Sequence, residues 1–313
     1  MNSSSESCNI SDWLGLEATA KASVYAVVFC FALGLTVLIV ATVAQSLTLR
    51  REVRYLLLCH HLLCVSSYCG LGVVFQGMRA LRAGSPLLLC WLVFGVQLCL
   101  GEGILFTLAL MAAHTYLVIC WPLRSLALGN AVKARVLAGT WLVIILKNVC
   151  LFLLEGTGAT RRAVFSSEPL CPVVFNGVPA RASGLVLLVL LLSVILVSYS
   201  LIYQEGRRAG HFSRSNVKAR KTVLIHLAQM GLHVIPTLLF VGLGKECGRF
   251  YFALNLTLFG AFAVAQCCSP LVYGLWNREL QSRLCRRRDC QPRGGARSRE
   301  EQQTANLNKT QPF

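Results

Sequence analysis

Long runs of apolar residues, separated by short polar segments, make up most of the chain. Each run is about 20 residues or longer, enough for a helix rising 1.5 Å per residue to cross about 30 Å of hydrocarbon. The alternating polarity typical of membrane β-barrel strands is absent from the sequence. The pattern therefore predicts an all-α membrane protein, a seven-transmembrane helix bundle. The predicted helices span about 22–47, 53–78, 87–119, 133–154, 182–206, 217–242 and 250–275.

Composition supports a membrane protein over a soluble one. Of the 313 residues, 55% are hydrophobic and 14% are charged, with a mean hydropathy of +0.61. Soluble domains carry about 25% charged residues, so the deficit indicates a lipid bilayer as the surrounding medium. The net charge of +17 does not indicate nucleic acid, because the basic residues lie in short loops and a tail.

The distribution of Lys and Arg predicts the orientation in the membrane. Twenty-one of them fall on the side that includes the C-terminal tail, and eight fall in segments on the other side. The positive-inside rule then places the tail in the cytoplasm and residues 1–21 outside the cell, as expected for the plasma membrane. No signal peptide is apparent in the N-terminal segment. The sequons at Asn2 and Asn9 are predicted glycosylation sites, whereas the one at Asn255 lies too close to the membrane.

The segment after the seventh run is basic and carries cysteines. Residues 276–290 read as an amphipathic helix on an anionic membrane surface, with Cys285 as a candidate palmitoylation site. A solvated basic tail with free thiols is the alternative. Residues 291–313 are expected to form a disordered cytoplasmic tail.

Three stretches resemble the rhodopsin-like (class A) G-protein-coupled receptors. HTYLVICWPLRS, residues 114–125, is similar to the aspartate–arginine–tyrosine stretch that ends their third helix. Trp141 stands where their fourth helix carries a tryptophan, and SPLVY, residues 269–273, resembles their asparagine–proline–x–x–tyrosine motif. RYLLLCHHLL, SYSLIY and KARKTVLIHL resemble in particular divergent vertebrate odorant-receptor-like and orphan receptors.

The resemblance implies a receptor that binds a small molecule outside and a heterotrimeric G protein inside. It also implies a disulfide between Cys90, at the start of the third helix, and Cys171, in the longest outer loop. The corresponding activation switch consists of His114, Thr115, Tyr116, Tyr199, His226, Pro236, Ser269, Pro270 and Tyr273.

The sequence departs from the family pattern at several switch positions. His114 and Thr115 replace the acid and the arginine whose pairing holds the inactive state in the family. Val65 stands where most members hold a sodium-binding aspartate, Val234 where they hold a toggle aromatic, and Ser269 where they hold an asparagine. These changes predict weak locking of the inactive state, and hence basal activity or unusual coupling.

Two charges interrupt the apolar helices at similar depth. Glu102 and Lys147 lie near the middle of the third and fourth predicted helices, where an unpaired ion is costly. Three arrangements fit the sequence. The two residues form a structural pair, Glu102 lines the ligand cavity, or Lys147 reaches towards the headgroups beside a protonated Glu102.

The ligand pocket is expected between the outer halves of helices three, five, six and seven. Gln97 stands where amine receptors of the family hold an aspartate, which argues against a biogenic amine. The candidate lining residues are Phe94, Gln97, Leu98, Gly101, Glu102, Phe240 and Phe259.

Other functions have weaker support. No catalytic motif or cofactor site is apparent, and His60, His61 and Cys64 have only a chance resemblance to a metal site. An orphan non-olfactory receptor remains open, as does a poorly coupled receptor-like protein that acts by homo- or hetero-oligomerisation with other receptors. A transporter or channel would need internal repeats or a polar pore stripe, and neither is found.

Overall fold

Helices account for almost all of the residues that the structure describes. The computed structural model describes residues 3–82, 84–121, 130–156, 167–168, 171, 177–208, 231–232, 234–236, 238–239 and 249–270. The helices are α1 (Ser3–Ala44), α2 (Leu47–Arg51), α3 (Val53–Ala80), α4 (Leu87–Cys120), α5 (Asn130–Gly156), α6 (Val178–Arg208) and α7 (Arg249–Pro270). The described parts of 231–239, within the predicted sixth membrane helix, are also helical.

Among the described residues, five helices are long and apolar enough to cross a membrane. The candidate spans are Leu14–Ala44, Val53–Ala80, Leu87–Cys120, Ala134–Leu154 and Val178–Arg207, and a shorter apolar helix covers Phe252–Cys268. An α-helix satisfies its own backbone hydrogen bonds, which is the condition for crossing hydrocarbon. The predicted all-helical, multi-pass architecture is therefore confirmed at the level of these spans.

The first helix differs from its predicted bounds of 22–47. It begins at Ser3 and ends at Ala44, so much of the predicted N-terminal segment 1–21 is helical. Hydropathy detects only the apolar part of a helix, whereas backbone hydrogen bonding continues into the polar residues before it. At the other end, Ser46 starts a separate helix, because its hydroxyl accepts a hydrogen bond from Leu49 N at 3.5 Å.

The helices pack around one main apolar core. α1 packs against α3 and α7, α3 against α4, and α4 against both α5 and α6. The core takes buried side chains from five helices, among them Tyr25, Val65, Leu108, Ile195 and Ala263. Within the described residues, α4 is thus the central helix, and it carries many of the candidate site residues.

Glycine permits the close approach of α1 to α3. A Cβ added at Gly72 would stand 2.7 Å from the ring of Tyr25, and one at Gly70 would stand 3.0 Å from Phe29. Small residues let two helices approach closely, so that side chains of one helix pack directly on the backbone of the other. The Tyr25 ring therefore packs against α3 at the level of Gly72.

A disulfide and a small sheet close one end of the bundle. Cys90, in the first turn of α4, is bonded to Cys171 with a Cα–Cα distance of 5.5 Å. The strands β1 (Ser85–Pro86) and β2 (Ser167–Glu168) pair antiparallel beside it. Phe75 packs on the buried disulfide. We call this end of the bundle, where α1, α4, α6 and α7 begin, the disulfide end.

Candidate functional site

A buried charge pair joins the middle parts of α4 and α5. Lys147 Nζ lies 2.5 Å from Glu102 Oε1, and Asn148 Nδ2 donates to the other carboxylate oxygen at 2.8 Å. Glu102 is only 7% exposed. Of the three sequence-based interpretations, the structure has the ion pair. Asn148 was not predicted, although its position next to Lys147 made it available to the same carboxylate.

A polar–aromatic cluster joins α1, α3, α4 and α7 nearer the disulfide end. Gln97 Nε2 donates to Tyr25 Oη at 3.4 Å and to the Tyr68 carbonyl at 3.5 Å. The two tyrosine hydroxyls lie 3.2 Å apart. Phe259 of α7 packs edge-on against Tyr25 at 4.9 Å between ring centroids. A candidate pocket residue of α4 is thereby connected to one of α7 through Tyr25.

The candidate pocket residues lie on different sides of α4. Phe94 packs against Phe75 at the disulfide, and a Cβ at Gly101 would stand 3.2 Å from the Tyr68 ring. Together with Gln97, they face α3, whereas Glu102 faces α5. Leu98 is partly buried, and Phe240 lies outside the described residues. Gln97 and Glu102 are therefore not brought together on one wall.

A second polar cluster, at the disulfide end, joins α1 to α7. Lys21 Nζ lies 2.5 Å from Glu17 Oε1 and donates to Asn255 Oδ1 at 3.3 Å. Asn255 Nδ2 also donates to Glu17, at 2.9 Å. Lys21 was expected in the N-terminal segment outside the membrane; it is instead buried within the bundle. The spacing of Glu17 and Lys21, four residues apart on one helix, is the signal that could have revealed it.

His60 is a hydrogen-bonding centre between α3, α4 and α5. Trp141 Nε1 donates to His60 Nε2 at 2.8 Å, so this nitrogen acts as the acceptor. The other ring nitrogen then carries the hydrogen and donates to Thr107 Oγ1 at 2.9 Å. Both ring nitrogens of His60 therefore have hydrogen-bond partners within the protein. In the described part of the chain, no group of three or more potential metal ligands is found.

Three of the predicted switch residues, His114, Thr115 and Tyr116, lie near the opposite end of α4 from the disulfide. Thr115 donates its hydroxyl to the Met111 carbonyl of the preceding turn at 2.8 Å. Tyr116 Oη accepts from Trp121 Nε1 at 3.2 Å, while its ring packs on the main core. His114 is partly buried, and Tyr199 of α6 is buried in the same core.

Comparison with known proteins identifies the family. The model of the 7-transmembrane receptors (rhodopsin family) matches residues 35–273, which is most of the chain. The chain is a member of the rhodopsin family of seven-transmembrane receptors. The predicted class A resemblance is confirmed. Receptors of this family are not normally enzymes; they couple to G proteins and bind small molecules within a membrane.

Two relatives of this rhodopsin-family receptor have been found. Human (Homo sapiens) Olfactory receptor 10AC1 is 30% identical over 234 residues, covering 68% of this chain and 71% of the relative. Component of Sp100-rs of Mus musculus is 67% identical over 52 residues, or 17% of this chain. The match spans only 25% of the length of that second relative.

The departures of this rhodopsin-family receptor from the usual pattern have structural counterparts. Val65 is fully buried in the apolar core, so the usual sodium-binding position has no anion. Thr115 is uncharged, and its hydroxyl is bonded to its own helix. Pro236 and Val234 are buried in the helical part of 231–239.

Several predicted site residues are not described in full. Asn2, His226, Tyr273 and Cys285 lie outside the described residues. Asn9 lies in α1, and Ser269 and Pro270 end α7. The sequon residue Asn255 is buried and hydrogen-bonded to both Glu17 and Lys21.

Proposed function

We propose that this receptor is chemosensory: it binds a small molecule at the disulfide end and transmits that binding to a heterotrimeric G protein at the other end. Seven helices would cross the plasma membrane, with the N-terminus outside and the tail inside. The observation that carries this proposal is the 30% identity to an olfactory receptor over 234 residues. The excess of Lys and Arg on the side of the tail supports the orientation.

The proposed ligand contacts lie on the disulfide side of Glu102. Phe94, Gln97, Leu98, Gly101 and Phe259 contribute aromatic, apolar and amide groups, as small-molecule pockets do. Gln97 and Phe259 are connected through Tyr25. A ligand that displaced the Gln97 amide would therefore disturb the connection that runs from α4 through Tyr25 to α7.

The proposed transmission is a population shift. A ligand that binds the active arrangement better moves the sixth membrane helix outward, with Pro236 as the hinge. Because Thr115 lacks the charge of the arginine that it replaces, the inactive state is weakly held. The receptor is expected to signal measurably without ligand.

The direct test combines topology with signalling. An N-terminal epitope should be accessible on intact cells and a C-terminal epitope only after permeabilisation. In the same cells, an odorant panel should produce cyclic-nucleotide or calcium signals above a receptor-free control. Correct surface expression without any basal or evoked signal would contradict the proposal.

A receptor-like partner protein is the second candidate. It is favoured by Thr115, which is uncharged and whose hydroxyl donates to the Met111 carbonyl of its own helix. Such a protein would give no signal alone but would change the surface level or response of a co-expressed receptor. An unchanged response in every co-expression would exclude it.

A further inference from the structure

Side-chain contacts join α4 to α5 at two levels. At one level, Glu102 bonds to Lys147 at 2.5 Å and to Asn148 at 2.8 Å. At the other, Trp91 packs edge-on against Phe152, with ring centroids 5.3 Å apart. The two residues of α4 are eleven positions apart, which is about 16 Å along the helix axis. A stretch of α4 about three turns long therefore lies between its two contacts with α5.

Gly95 leaves an open space within this stretch. Gly95 and Leu98 follow Trp91 by four and seven positions, so they share the face of α4 on which Trp91 and Glu102 contact α5. Among the described residues, a Cβ added at Gly95 would meet no neighbour within 4 Å. We call the space beside Gly95, between Trp91 and Glu102, the Gly95 recess.

The Gly95 recess lies beside the lipid-facing surface of the bundle. Val96 and Leu92, its neighbours on α4, are 51% and 53% exposed, and Val149 of α5 is 47% exposed. Both helices are candidate membrane spans at this place. Exposed apolar side chains of such helices contact lipid, so an apolar molecule dissolved in the bilayer has direct access to the recess.

Asn148 supplies an unused hydrogen-bond acceptor at one end of the recess. Its Nδ2 donates to Glu102 Oε2 and to the Ile144 carbonyl, at 2.8 and 2.9 Å. Its Oδ1 is buried and has no partner among the described groups. Oxygen and nitrogen point in different directions from the amide carbon, so Oδ1 is directed away from Ile144, towards the turn that carries Phe152. A buried acceptor without a partner favours an added donor.

The charges beside Asn148 favour a neutral ligand. Glu102 and Lys147 already compensate each other, so a charged ligand would bring an uncompensated ion into the membrane. The Lys147 side chain is 21% exposed, and its ammonium group has three N–H donors, of which one bond to Glu102 uses one. A hydroxyl fits both neighbours, because it donates to Asn148 Oδ1 and accepts from Lys147 Nζ.

We propose that the Gly95 recess binds a neutral aliphatic alcohol, whose hydroxyl donates to Asn148 Oδ1 and whose chain lies along Gly95 and Leu98 towards the Phe152 ring. The recess is on the α5 side of α4, whereas Gln97 faces α3. It shares only Leu98 with the ligand contacts proposed above. The site does not rest on the proposed signalling function, because binding is measured on purified receptor.

The test uses a 1-decanol analogue with a photoreactive diazirine in its chain. Receptor in phosphatidylcholine nanodiscs is irradiated, and the labelled peptides are identified by mass spectrometry. Labelling of α4 and α5 near the recess should be saturable and should be displaced by 1-decanol. The isomer 1-methoxynonane has no hydroxyl hydrogen to donate, so its affinity should be about tenfold lower, as expected for one lost hydrogen bond.

Two variants separate the recess from its polar end. Gly95→Leu fills the recess without changing the Glu102 contacts, and it should lower the affinity for 1-decanol about tenfold or more. Gly139→Leu, which adds the same side chain at an exposed and open position of α5, is the matched control and should bind like wild type. Asn148→Leu removes the acceptor, so it should bind 1-decanol and 1-methoxynonane equally. If Asn148→Leu does not fold, the comparison of Gly95→Leu with Gly139→Leu still decides.

Four results would overturn the site. Labelling near the recess does not saturate, 1-methoxynonane displaces the label as well as 1-decanol does, or Gly95→Leu binds like Gly139→Leu. In the fourth, cholesterol displaces the label and 1-decanol does not, which would assign the recess to a membrane sterol and reject the aliphatic alcohol.

Discussion

The hydroxyl of Thr115 illustrates how one side chain changes the expected behaviour of a switch. It bonds to the carbonyl of Met111 on its own helix, so it holds no neighbouring helix in place. The arginine usual in the family carries a charge that can pair with an acid. Thr115 has no charge with which to form such a pair.

Restoring the charged residues should therefore silence the receptor. An ion pair that stabilised the inactive state by about 1.4 kcal/mol would lower the population of the active state about tenfold. We expect Thr115→Arg to reduce basal signalling, and His114→Asp with Thr115→Arg to reduce it further, in a reporter assay normalised to surface expression. Thr115→Val, which removes only the bond to Met111, is the control and should signal like wild type. Unchanged basal signalling in the double variant would contradict the weak-lock hypothesis.

Glu102 and Lys147 should behave as a pair. Glu102→Lys or Lys147→Glu alone places two like charges together in the membrane, where an unpaired ion costs at least about 2.5 kcal/mol. Each single variant should reach the cell surface poorly, and the double exchange should recover surface expression. If the exchange did not restore surface expression, the pair would not be what stabilises α4 against α5.

The charge pair was predictable, whereas its surroundings were not. Glu102 and Lys147 stand out as rare charges at similar depth in apolar segments, and an ion at that depth needs a partner. Asn148 gave no comparable signal, because an asparagine next to a lysine is ordinary in sequence. Asn255 stands out in the sequence only as part of a sequon, since its bonds to Glu17 and Lys21 join residues over 230 positions apart.

At the scale of the helices, the contact between α1 and α3 depends on glycine. Tyr25 occupies the space beside Gly72 and reaches Tyr68 and Gln97 from there. The fit between two helices depends on their register, which periodicity in either sequence does not specify. Five of the seven predicted spans accordingly have counterparts among the described residues, whereas the contacts between the helices were not predicted.

Gly72→Ala should destabilise this contact. Its Cβ would lie 2.7 Å from the Tyr25 ring. Overpacking of this kind costs about 1–3 kcal/mol. We expect a lower melting temperature of the purified receptor. Gly77→Ala, on the same helix with nothing within 4 Å of its Cβ, is the matched control. Equal melting temperatures for the two variants would show that α1 moves aside without cost.

At the scale of the whole molecule, the disulfide links Cys171, which follows β2, to the central helix α4. Cys90 and Cys171 are 81 positions apart, and the bond is buried against Phe75. The family resemblance implied this bond, while the antiparallel pairing of β1 with β2 had no signal in such short segments.

Removing the bond should loosen the disulfide end. Disulfides typically contribute about 2–4 kcal/mol, so Cys90→Ala with Cys171→Ala should lower the melting temperature and surface expression. Cys150→Ala, which removes an exposed free thiol of α5, should do neither. A double variant as stable as wild type would show that packing alone holds the loop.

The N-terminal extension of α1 makes a tilt of this helix measurable from outside the bundle. Residues 3–13 continue the same helix beyond the candidate span, which adds about 16 Å at 1.5 Å per residue. A helical extension has few conformers, so a fluorophore near Ser3 would be displaced far more than the base of the helix when α1 tilts. Energy transfer from that position to an acceptor in the lipid could therefore follow small rotations of α1 that are hard to detect at its contacts with α3 and α7.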